Sequence, residues 1–121
     1  HKVGQTVTPI AEDAVLEKHG ISGKRKLLGI VVVGESARAK EFSLNGYQRD
    51  TNPCLAREQA VSFTKAYASG TSTAEALPCM FSHLKREEYS AKKAAGYENI
   101  LDILQRLGVA VLWRDNNSTL Q

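Results

Sequence analysis

The stretch Leu27-Leu28-Gly29-Ile30-Val31-Val32-Val33, stopped by Gly34, constrains this chain more than any other feature. An unbroken apolar run rich in β-branched residues, with no polar alternation, suits a strand covered on both faces, as in a parallel sheet. Two shorter runs have strand length: Ala60-Val61-Ser62-Phe63 and Val109-Ala110-Val111-Leu112-Trp113. Ahead of the last run, Tyr97, Ile100, Leu101, Leu104 and Leu107 recur at helical spacing, and Gly108 stands where a C-cap glycine belongs. A helix feeding directly into an apolar strand is half of a crossover unit, so the expected class is α/β. A doubly wound sheet has about five or more strands, while this chain offers three. The length is therefore expected to be a cut through a larger domain, as the first residue, His1 rather than Met, also suggests.

Residues 1–26 are mixed and polar and read as a lead-in or linker, with Pro9 opening a short helix that runs through Leu16 and stops at Gly20. Residues 27–121 carry the sheet-forming pattern. The chain is 42% hydrophobic and 24% charged, with 9 Gly and 3 Pro, which excludes both a disordered tail and a low-complexity or collagen-like chain. The longest apolar run is far short of the roughly 20 residues that cross a bilayer. Sixteen Lys and Arg against thirteen Asp and Glu leave a net charge of +3, distributed in small groups such as Lys24-Arg25-Lys26, Lys85-Arg86 and Lys92-Lys93. Nucleic-acid binding needs a denser basic stripe or a reading motif, so no nucleic-acid partner is expected. Cys54 and Cys79 lack the CxxC spacing of a zinc finger or redox pair, and the choice between two thiols and one disulfide stays open.

In open parallel sheets the working loops lie beyond the carboxyl ends of strands, and three loops here qualify. The first, Gly34-Glu35-Ser36-Ala37-Arg38, offers a carboxylate at the end of the strongest strand, placed either to bind a cation or to begin a helix as a surface acid. In the second, Ala68 to Phe81, Gly70 and the hydroxyl residues Thr71-Ser72-Thr73 read as a tight turn feeding a helix N-terminus. Free N–H groups and the helix dipole there attract a phosphate, and a threonine hydroxyl held beside them becomes a better nucleophile. Simple capping by Ser72 or Thr73 is the competing reading. The third loop, Asn116-Asn117-Ser118, supplies neutral donors suited to phosphate oxygens, although such residues also make ordinary turns. His1, His19 and His83 are not spaced like metal ligands and read as structural or exposed.

Together these segments resemble the opening of the periplasmic catalytic domain of bacterial phosphoethanolamine transferases, in the alkaline phosphatase and sulfatase superfamily. The resemblance rests on Val31-Val32-Val33-Gly34-Glu35-Ser36-Ala37-Arg38-Ala39, on Phe42-Ser43-Leu44-Asn45-Gly46-Tyr47-Gln48-Arg49-Asp50-Thr51-Asn52-Pro53, and on Gly70-Thr71-Ser72-Thr73-Ala74 with Leu77-Pro78-Cys79-Met80-Phe81-Ser82. Tyr97-Glu98-Asn99, Leu107-Gly108-Val109 and Leu112-Trp113-Arg114-Asp115-Asn116-Asn117-Ser118 complete it.

The resemblance implies a partial alkaline phosphatase/sulfatase-like sandwich, a mostly parallel sheet flanked by helices. It implies that Glu35 and Thr73 bind a zinc ion (Zn2+) and that Thr73 is the nucleophile. Thr71, Asn117 and Ser118 fall on positions that contact the phosphoethanolamine group. The implied donor is phosphatidylethanolamine, and the implied acceptor is lipid A, the lipopolysaccharide core or a periplasmic glucan, in an enzyme of the kind that confers polymyxin resistance. A phosphoglycerol transferase, a sulfatase-like hydrolase and a noncatalytic anion- or partner-binding module are the alternatives. The enzyme is expected at the bacterial inner membrane, anchored by segments before His1, with this domain in the periplasm and the remaining zinc ligands beyond residue 121. Many members have a cysteine where Ser69 stands here, so Cys79 lacks its usual partner. The 121-residue segment alone is expected to be inactive and prone to self-association through uncovered sheet edges.

Overall fold

The computed structural model describes residues 6–17, 26–34 and 36–115, which fall into two compact units. One unit gathers His1–Leu27 with Ala68–Gln121, and the other is Leu28–Tyr67.

Polar hydrogen bonds hold the Leu28–Tyr67 unit. Two short 3-10 turns, Ala39–Glu41 and Ser43–Asn45, lead into helix α1, Pro53–Arg57. Pro53 suits the first helical position, because its fixed φ is already helical and its missing N–H would have no partner there. Gly46 closes the second turn at φ +95° and donates its N–H to the Ser43 carbonyl at 3.0 Å. That backbone region strains any residue with a Cβ. The Asn45 amide spans this segment, donating from Nδ2 to the Ala39 carbonyl at 2.8 Å and accepting on Oδ1 from the Ser62 hydroxyl at 2.7 Å. The Thr51 hydroxyl donates to the Glu41 carbonyl at 2.6 Å and accepts the Ser43 N–H at 2.9 Å. The Asn52 N–H then donates to the Ser43 hydroxyl at 3.0 Å. The Asn-Gly-Tyr and Asp-Thr-Asn-Pro parts of the sequence thereby form one cross-linked loop around α1.

The other unit contains α2 (Thr73–Phe81), α3 (Ala91–Ala94) and α4 (Ile100–Arg106). Helix α4 is the element that the apolar spacing predicts, and it stops as expected, with Gly108 at φ +84°. Its start is fixed by a capping box. The Asn99 side chain accepts from the N–H groups of Leu101 and Asp102, at 2.8 and 3.4 Å, while the Asp102 carboxylate accepts the Asn99 N–H at 2.9 Å. Helix α3 is capped by the Ser90 hydroxyl, which accepts the Lys93 N–H at 3.2 Å, and it packs against α2. Pro78 lies inside α2 and cannot donate to the ladder, and the helix ends one turn later. Cys79, Leu84 and Ile103 form the small buried centre, each 9% exposed. Phe81 meets Trp113 edge-on at 5.6 Å, and His83 meets Tyr97 at 5.0 Å in the same geometry.

Two expectations change here. Pro9 opens no helix through Leu16: Thr8 instead pairs with Tyr97 in an isolated parallel bridge, and the Ile10 N–H is taken by the Glu98 carboxylate. The carbonyls of Thr8, Ile10 and Ala11, which a helix would use as acceptors, are taken by the Glu98 N–H and the Arg106 side chain, and Gly20 lies outside the described residues. The three strand-like runs form no ladder among the described residues. Leu28, Ile30, Val31 and Val32 are 74–85% exposed, and Val61, Phe63 and Leu112 are similarly open. A strand is held by hydrogen bonds to a neighbour, so an apolar run without one stays unpaired whatever its propensity. Among the described residues no helix is long and apolar enough to cross a membrane.

Candidate functional site

The turn Gly70-Thr71-Ser72-Thr73 is the part of the expected site that falls among the described residues. Ser72 holds extended backbone at φ −120°, ψ 151°, and its carbonyl accepts from the N–H groups of Glu75 at 3.2 Å and Ala76 at 2.9 Å. Its hydroxyl makes no capping bond among the described residues, and these main-chain bonds begin α2. Thr73 is the first residue of α2 and is half-buried, while Thr71, two residues earlier, is exposed. The positive end of the helix dipole is therefore at Thr73, where it favours a nearby anion.

Gly70 admits the Glu75 side chain, which folds back over the turn. A Cβ at position 70 would lie 2.7 Å from the Glu75 Cγ, Cδ and Oε2 atoms, so any larger residue must push that carboxylate aside. Tyr89 lies beyond the buried side of α2. Its hydroxyl is buried and has no hydrogen-bond partner among the described residues, and burial, helped by Cys79 and Glu75, pushes the phenol above its ordinary range. A cavity of about 660 Å3 opens there, bounded by Pro78, Ser82, Tyr89, Tyr97 and Asn99 and by Val7 of the lead-in.

Of the residues expected to carry chemistry, Thr71 and Thr73 fall among the described residues, one in the turn and the other at the start of α2. Glu35, Asn117 and Ser118 lie outside the described residues. Among the described residues no group of three or more His, Cys, Asp or Glu could hold a metal ion. Cys54 is an exposed free thiol and Cys79 a buried one. Sequence reasoning missed the Asn99–Asp102 box, although the Asn-x-x-Asp spacing across the first turn of α4 signals it. It also missed the ion pair of Glu98 with Arg106, which no local pattern announces.

The pattern that defines the sulfatase family matches residues 28–121, most of the chain and the whole span of these loops. The chain belongs to the sulfatase family. Within this family it is 49% identical over 108 residues to the phosphoethanolamine transferase EptA of Escherichia coli strain K12, covering 89% of the chain and 20% of that protein. It is 50% identical over 109 residues to the phosphatidylethanolamine transferase Mcr-1 of Escherichia coli, with the same coverage. Among solved structures, the integral membrane lipooligosaccharide phosphoethanolamine transferase A (EptA) of Neisseria meningitidis matches with a TM-score of 0.75 and 38% identity, over 95% of this chain and 22% of that one. The sulfatase-family chain thus spans about a fifth of the length of the curated relatives it matches.

Proposed function

We propose that the intact protein transfers phosphoethanolamine from phosphatidylethanolamine to a cell-envelope acceptor, lipid A or a related lipopolysaccharide or glucan, with Thr73 as nucleophile. The observation that carries this reading is Thr73 at the first position of α2, directly after the Gly70 turn, in a chain half identical to transferases of this name. In the first step the Thr73 Oγ1 forms a bond to phosphorus. The bond from phosphorus to the diacylglycerol oxygen breaks, and that oxygen takes up the threonine proton. In the second step an acceptor hydroxyl oxygen bonds to phosphorus, the Oγ1–phosphorus bond breaks, and the acceptor's proton passes to Oγ1, which regenerates the threonine hydroxyl. Splitting the transfer lets one site serve two substrates in turn.

The α2 N-terminus offsets the charge of the phosphoryl oxygens, and Thr71, Asn117 and Ser118 are the proposed donors to the phosphoethanolamine group. Glu35 and Thr73 are the proposed zinc ligands of this chain. Both offer oxygen donors that zinc accepts, and together they fit half of a tetrahedral set. Bound zinc lowers the pKa of a coordinated hydroxyl, which readies Thr73 for attack. The sheet and helices of an alkaline phosphatase/sulfatase-like sandwich would complete the domain around these loops, facing the periplasm from an inner-membrane anchor.

The test is mass spectrometry of the intact protein after incubation with phosphatidylethanolamine. We expect a phosphoethanolamine adduct on Thr73 that is lost in Thr73→Ala, together with a fall in transfer of at least about a thousandfold. An adduct that persists in Thr73→Ala overturns the nucleophile assignment.

A further inference from the structure

The lead-in segment meets α4 through a compact polar knot. The Thr8 N–H donates to the Gly96 carbonyl at 2.8 Å, and the Thr8 carbonyl accepts the Glu98 N–H at 3.0 Å. Two residues on, the Ile10 N–H donates to the Glu98 Oε2 at 3.3 Å. Arg106, in the last turn of α4, donates from Nη1 to that same carboxylate oxygen. From Nη2 it donates to the carbonyls of Ile10 at 2.7 Å and Ala11 at 3.0 Å. One guanidinium therefore gathers a carboxylate and two main-chain carbonyls, a task that suits its planar fork and not the point charge of a lysine.

Two further observations give the contact a conformational meaning. Ala11 sits at φ +48°, a left-handed backbone that costs a residue with a Cβ about 1 kcal/mol or more unless its surroundings hold it. Its carbonyl accepts from both Arg106 and the Ala14 N–H, the latter at 3.0 Å. Val7, one residue before the bridge, lines the cavity beside Tyr89 and Tyr97.

We infer that residues 7–11 form a strap, locked across the corner between α3 and α4 by the Glu98–Arg106 pair, and that this lock seats Val7 as one wall of the cavity. Glu98 and Arg106 are positioning residues in this device. Releasing one charged pair frees five residues and opens the cavity on that side, while the capping box keeps α4 folded. The strap is independent of the chemistry proposed for Thr73.

Hydrogen exchange of the intact protein tests this, comparing the amides of Thr8 and Ile10 with those of Ile103 and Leu107, which lie in the α4 ladder. In both Arg106→Gln and Arg106→Lys, strap exchange is expected to quicken about tenfold or more while the α4 amides stay within about twofold. Failure of lysine to rescue the strap separates the fork from a general need for positive charge. Arg114→Gln, at an exposed residue outside the bonds of the knot, is expected to change neither set. Unchanged strap exchange in both Arg106 variants overturns the inference. Should those variants loosen α4 as well, Glu98→Gln decides: a faster strap over an intact α4 upholds the lock, and joint loosening overturns it.

Discussion

The Leu28–Tyr67 unit and the unit built from the chain's two ends solve the same problem with opposite materials. In the first, hydrogen bonds among Asn45, Ser43, Thr51, Asn52 and Ser62 hold the loop while Leu28, Ile30, Val31, Val32 and Phe63 stay exposed. In the second, Cys79, Leu84 and Ile103 are buried, and capped helices and an ion pair surround them. The polar loop finds its partners within 17 positions along the chain. Apolar strands need a neighbouring strand, and their order is borrowed from it.

The largest test of this contrast compares two truncations by urea denaturation. Ile103→Ala should cost about 2–4 kcal/mol, as removing a buried aliphatic chain does, whereas Val32→Ala should stay within about 0.5 kcal/mol in this chain. Equal costs would break the contrast by showing that the Val31–Val33 run is covered. A smaller effect is expected at the helix cap. Asn99→Ala removes an acceptor for two N–H groups and should lower stability by about 1 kcal/mol in the same urea series.

The smallest effect concerns pH and sharpens the role of the ion pair. The hydrogen bond from Arg106 holds the Glu98 carboxyl below its ordinary range, reinforced by the Ile10 N–H and opposed by burial. The folded state therefore binds this proton less readily than the unfolded chain. The resulting stabilisation is present above the ordinary carboxylate range and disappears as the pH falls through the lowered value. Glu98→Gln should flatten that acid limb in a series of melts, and an unaltered limb would mean that other carboxylates govern it.

What the sequence made legible follows the same division. Helix α4 and its Gly108 stop are written in local spacing, and the start of α2 at Ser72 and Thr73 is written in its turn residues. Helices α1 and α3 are shorter than two turns, too brief for an apolar period to register, although Pro53 and Ser90 mark their starts. The Leu27–Val33 run was readable as strand-forming material, while its pairing depends on partners that local sequence does not name. The bond from Ile10 to Glu98 spans 88 positions, so no window along the chain could reveal it, and the Pro9 helix was expected in its place. For the candidate site, the Gly70 turn and the start of α2 at Thr73 were legible from their turn residues. The close approach of Glu75 to Gly70 was not, because only the folded turn brings those side-chain atoms against that backbone.

The two thiols carry a consequence of a different kind. Cys54 lies exposed on α1 and Cys79 lies buried on α2, so the chain already contains one reporter for each unit. A thiol reagent applied to the folded protein reaches the first at once, and it reaches the second only when the helices around Cys79 part. The number of modified sulfurs is thus a built-in clock for the opening of one unit, readable without changing a residue.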